Sequence, residues 1–177
     1  MEKNQTKCLI GLFLIMALSV KSQEYVYPVI QNYGGVVHLE NAIFPSSGGK
    51  IIVDLTSAEP SPSGFSRSMD RLARLINLYG LAEISPDQLE MTVIVHGAAT
   101  KMVLAEEAYL EAFGTPNPDT EILQALREHG VKFLVCGQAY TAKGYSVEAL
   151  NPDVRLALSA ITTLVAYQQD GYVVLYF

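Results

Sequence analysis

The sequence predicts an α/β fold, a mainly parallel sheet of four to five strands with helices covering both faces. Three observations predict it. Short runs rich in Val, Ile and aromatic residues recur along the chain, the stretches between them change to a helical period, and glycine or polar residues close each segment.

The apolar runs are Lys50 to Leu55 (KIIVDL), Met91 to His96 (MTVIVH), Val131 to Cys136 (VKFLVC) and Tyr172 to Phe177 (YVVLYF). Each is apolar with little alternation, so each reads as a strand buried on both faces. Ser66 to Tyr79 puts Met69, Leu72, Leu75, Ile76 and Tyr79 on one stripe and stops at Gly80, and Thr120 to His129 groups Ile122, Leu123 and Leu126 before Gly130. These are amphipathic helices with glycine stops. Arg155 to Gln169 is apolar over a wider arc, from Leu156 to Val165, and is expected to be a helix buried against the sheet and against a further subunit. Glu59 to Gly64 (EPSPSG) and Phe113 to Asp119 (FGTPNPD) are proline-punctuated loops. Residues 23–49 contain Gly34-Gly35, Pro45 and the run Ser46 to Gly49, and are expected to form an N-terminal arm with at most a short strand around Val36 to Leu39. The α/β domain is then residues 50–177.

Residues 1–22 stand apart. Lys3 and Lys7 precede the apolar stretch Leu9 to Leu18, and Val20 and Ser22 lie three and one positions before Gln23, the pattern of a cleaved secretory signal peptide. The apolar run is about half the roughly 20 residues a membrane span requires. A periplasmic or otherwise exported protein is therefore expected. Losing the segment removes Cys8 and leaves 9 Lys and Arg against 17 Asp and Glu, a formal charge of −8. Such a surface repels phosphate backbones and offers anionic lipid nothing, which disfavours nucleic-acid and membrane partners. What remains is one domain's length, and with Cys136 its only thiol it forms no internal disulfide.

Cys136 closes an apolar run just before Gly137. In an open parallel sheet ligands bind beyond the carboxyl ends of the strands. There Gly137, Gln138 and Ala139 would present backbone NH groups to the sulfur, and a helical turn from Gln138 onward would favour a thiolate. A second run ends the same way: VIVHG (93–97) matches FLVCG (133–137). If the two strands are neighbours, His96 and Cys136 emerge on one edge with backbones about 5 Å apart, and the imidazole can accept or hold the thiol proton. The candidate catalytic residues are Cys136 and His96, and the candidate substrate-binding residues are Gly97, Gly137, Gln138 and Lys101. Asp54 and Lys101 lie near the same edge with orientations the sequence leaves open.

Each candidate has a structural alternative. A cysteine at a strand end also serves as a packed small hydrophobe, and a histidine there as a hydrogen-bonded structural group. His129, just before Gly130, reads as a favourable charge at a helix C-terminus. No three or four metal ligands recur at recognisable spacing, and no cofactor motif, CxxC pair, phosphate-binding glycine loop or GxSxG elbow occurs.

The run from Val131 to Phe177, together with MTVIVHGAATKMVL and RLARLINLYG, resembles the DsrE/DsrF-like family in its exported single-domain members. The similarity extends over roughly Tyr33 to Phe177 and is carried by the VHG and VCGQ strand ends and by ALSAIT followed by QQDGY. The resemblance implies a three-layer α/β/α sandwich, assembly into oligomers, commonly trimers or hexamers, and sulfur carried as a persulfide on the cysteine that matches Cys136. It implies a sulfur donor and a sulfur acceptor as partners and no cofactor. The family's sulfur-oxidation and tRNA-thiolation relays are cytoplasmic, whereas this chain has an export pattern, so its partners are expected to differ. The alternative from another class is a non-catalytic oligomeric binding module with an inter-subunit cleft at the strand ends. A cysteine-histidine hydrolase ranks below both, because no oxyanion hole is specified.

Overall fold

The computed structural model describes residues 24–177, so the expected signal segment, 1–22, lies outside them. Five strands form one fully parallel sheet: β1 (Gly49–Leu55), β2 (Leu89–Val95), β3 (Lys132–Cys136), β4 (Val154–Ala157) and β5 (Val173–Tyr176), in the order β4-β3-β2-β1-β5. The helices are α1 (Arg67–Leu81), α2 (Glu106–Phe113), α3 (Thr120–Glu128), α4 (Gly137–Ala142) and α5 (Ala160–Gln169). The chain steps outward from β1 to β4, and α5 then carries it back across the sheet to lay β5 beside β1. Right-handed crossovers running in opposite directions place their helices on opposite faces. Accordingly α1 and α3 pack on one face and α5 on the other, giving the three-layer α/β/α arrangement.

The pleat sorts the strand residues between the two faces. Ile51, Val53 and Leu55 of β1, Val93 and Val95 of β2, and Phe133 and Val135 of β3 meet the helix stripes of α1 and α3 in the main core. The expected stripes account for this: Met69, Leu72 and Ile76 of α1 and Ile122, Leu123 and Leu126 of α3 are buried. Ser66 caps α1, its Oγ accepting from the Ser68 amide at 3.1 Å. On the opposite face Ile52, Ile94 and Cys136 form a smaller buried cluster with Ala160 of α5.

Three expectations are corrected. Arg155 to Gln169 is not one helix, because residues 154–157 pair with β3 as the edge strand β4. Helix α5 starts only at Ala160, where Ser159 caps it by accepting from the Thr162 amide at 3.1 Å. Nor is this region buried in the chain: Leu158, Ile161 and Val165 are 73%, 76% and 50% exposed. Helix α2 occupies a stretch with no expected element, and it buries only Tyr109 completely, which is why its period is weak. The N-terminal arm, for which at most a short strand was expected, pairs among its described residues only through a single antiparallel bridge between Val26 and Val36. Asn77 of α1 fixes it instead. The Asn77 Oδ1 accepts from the amides of Val29 and Ile30 at 2.9 and 2.8 Å, and its Nδ2 donates to the carbonyls of Ile30, Tyr33 and Gly34. Ile30 is thereby held in the main core.

Candidate functional site

The parallel register decides which predicted residues meet. Val95 pairs with Val135, so the next residues, His96 and Cys136, stand side by side at the carboxyl ends of β2 and β3. Asp54 is the penultimate residue of β1, on the other side of β2. Period two turns Asp54, His96 and Cys136 to the face carrying α5, in line with Ile52, Ile94 and Leu134.

The Nε2 of His96 lies 2.6 Å from Oδ1 of Asp54, with the ring 30% and the carboxylate 13% exposed. This pairing fixes the ring across two strands. The Nδ1 makes no hydrogen bond among the described residues. Cys136 is 6% exposed and belongs to the small buried cluster that also contains Ile52, Ile94 and Ala160. It is also the N-cap of α4, and its Sγ accepts from the Ala139 amide at 3.5 Å. A sulfur in that position is polarised by a backbone donor from the turn the sequence predicted. Gly137 is required by the close approach of β4, since a Cβ there would sit 2.9 Å from the Ala157 carbonyl oxygen. Gln138 is solvent-exposed at the same end.

Gly97 adopts φ +61°, which glycine tolerates without strain, and opens a 3-10 helix over Gly97–Val103. That segment inserts Ala99, Met102 and Val103 into the main core, on the face of the sheet opposite Cys136. It therefore carries Lys101 to a different place. The Lys101 Nζ lies 5.8 Å from the centroid of the Phe113 ring, in a cleft of about 710 Å³ between the loop after β1 and the segment after β2. Neither Cys136 nor His96 lines that cleft. The structure thus brings Cys136, His96 and Gly137 together, adds Asp54 to them, and separates Lys101.

Two further polar groups near the strand ends escaped sequence reasoning. Asp119 is almost completely buried, with Oδ1 accepting from the Ser66 amide at 2.6 Å. Burial raises its carboxyl to about 6, against the pull of the Ser66 amide and the Lys101 charge. Tyr140 of α4 is buried with a hydroxyl that has no hydrogen-bond partner, and burial beside Tyr145 pushes that hydroxyl up to about 12. Asp119 sits in a proline-rich loop and Tyr140 in a short polar-flanked turn, so neither carried a signal of burial. Asp54 did carry one: an acid inside KIIVDL, two residues from Ile52, shares that residue's face.

The DsrE/DsrF-like family model matches residues 50–177. Among solved structures, MTH1491, a protein of unknown function from Methanobacterium thermoautotrophicum, is 15% identical with a TM-score of 0.54. The ychN protein from E. coli is 17% identical with a TM-score of 0.53. Each comparison covers 73% of this chain and 99% of the other, and at these identities the likeness speaks for the fold. No curated protein matches the sequence. With the family match spanning the whole sheet and all five helices, the chain belongs to the DsrE/DsrF-like family.

Proposed function

We propose that this protein is an exported sulfur carrier that accepts and donates sulfane sulfur as a persulfide on Cys136. The observation that supports it most is the sulfur at the end of β3, hydrogen-bonded by the Ala139 amide, beside a histidine oriented by Asp54. In this reading the Cys136 thiolate attacks the outer sulfur of a donor persulfide. The donor S–S bond breaks, the donor leaves as a thiolate that takes a proton, and a new S–S bond forms on Cys136. An acceptor thiolate then attacks the terminal sulfur and releases the Cys136 thiolate, so no net oxidation occurs. His96 moves the proton through Nδ1, and the NH groups of the first turn of α4 hold the persulfide anion.

The exposed Leu158, Ile161 and Val165 around the same face support assembly of several copies, a homo-oligomer whose contact brings the acceptor or donor to the site. Intact mass after incubation with polysulfide tests the reading. Wild type should gain one sulfur atom that a reductant removes, Cys136→Ser should gain none, and His96→Ala should load at least about tenfold more slowly. A Cys136→Ser protein that loads like wild type would defeat it.

One observation favours a second reading. At 6% exposure Cys136 packs as a small hydrophobe would, which suits a non-catalytic binding module whose exposed apolar face joins subunits. Under that reading wild type gains no sulfur at all.

A further inference from the structure

The cleft that holds Lys101 is unexplained by chemistry at Cys136. It opens beyond the carboxyl ends of β1 and β2, where an open α/β sheet presents its ligand-binding loops. Its walls combine two kinds of group. Lys101 and Lys143 supply positive charge, and neither makes an ion pair among the described residues. Phe113 and Tyr145 supply flat apolar surface.

The loop after β1 adds donors. The backbone amides of Ser57 and Ala58 make no hydrogen bond to any described residue, and both residues line the cleft. The Ser57 Oγ accepts from the Glu59 amide at 3.3 Å and keeps its own proton to donate. Two anionic groups oppose this field, the Glu59 side chain on the rim and the buried Asp119 within electrostatic reach of Lys101. Glu59 is exposed and screened, while the Asp119 carboxylate already receives the Ser66 amide. At about 710 Å³ the cleft is far larger than an inorganic ion and falls in the range of small-molecule sites.

We propose that this cleft binds a small organic oxyanion, its phosphate or carboxylate held by Lys101, Lys143 and the Ser57–Ala58 amides and its apolar part against Phe113 and Tyr145. The site stands whether or not Cys136 carries sulfur. Calorimetric titration of the purified protein with phenyl phosphate, inorganic phosphate and phenol at low ionic strength tests it. Phenyl phosphate should bind at one site, more tightly than either inorganic phosphate or phenol, and added salt should weaken it. Lys143→Met and Lys101→Met should each reduce its affinity by roughly tenfold, with far-UV circular dichroism unchanged. Lys143 is exposed, so that variant keeps the test open if Lys101→Met fails to fold. Absence of saturable phenyl phosphate binding, or binding that neither lysine variant weakens, would overturn the proposal.

Discussion

The face of the sheet under α1 and α3 buries Val53, Leu55, Val93, Val95, Phe133 and Val135 beneath two amphipathic helices. The face under α5 buries Ile52 and Ile94 but leaves Ile161 and Val165 of the covering helix largely in solvent. The first is a completed core; the second is covered by one helix over β1, β2 and β5. Cys136, His96 and Asp54 all belong to the second. The difference teaches where to look for function: the chain spends its helical stripes on one face and keeps its candidate site residues on the face that still has apolar surface to offer.

The comparison can be broken by stability measurements. Leu72→Ala, in the completed core, should cost about 3 kcal/mol of unfolding free energy, and Leu164→Ala, partly buried on α5, about 1 kcal/mol. Equal losses in denaturant titrations would erase the distinction.

A smaller effect concerns the one acid buried on the completed side. Because the Asp119 carboxyl rises from 3.8 to about 6 on folding, the folded chain holds that proton more tightly than the unfolded chain. Its contribution to stability is complete below pH 3.8 and is lost as the pH rises through 6. Asp119→Asn keeps an oxygen for the Ser66 amide and carries no charge. It should stabilise the protein at pH 7 by on the order of 2 kcal/mol and have little effect at pH 4. A stability difference that does not change with pH would place the origin elsewhere.

The smallest expected change in the folded subunit is the most informative about the open face. Ile161→Ser removes a side chain that is 76% exposed and should alter subunit stability by no more than about 0.5 kcal/mol. If that face joins subunits, the same substitution should shift the protein to a smaller species in sedimentation, whereas an unchanged sedimentation coefficient would leave the apolar face without a role in assembly.

The contrast between the faces also marks what the sequence made legible. The α1 and α3 stripes were readable because a helix buried on one side must repeat its apolar residues at 3.6 positions. The matching strand ends VIVHG and FLVCG were readable because parallel neighbours in register repeat the same pattern. The division of Arg155 to Gln169 into β4 and α5 was not. Four residues of edge strand are too few to show alternation, and the helix that follows buries only Ala160, so no stripe marks its start. Ser159 was the available signal, a cap residue inside what looked like a continuous helix. The Asp54–His96 contact depended on strand order, which local patterns do not encode.

Alkylation of Cys136 in the folded protein is the most direct test of the central claim. The chain from Gln23 onward has this one thiol, so its loss under iodoacetamide can be followed by mass in buffer and in denaturant. A sulfur carrier with its Sγ at the Ala139 amide predicts a folded-state rate at least comparable to the unfolded rate. A thiol that reacts only after unfolding would contradict the account and make Cys136 a packing residue of the α5 face.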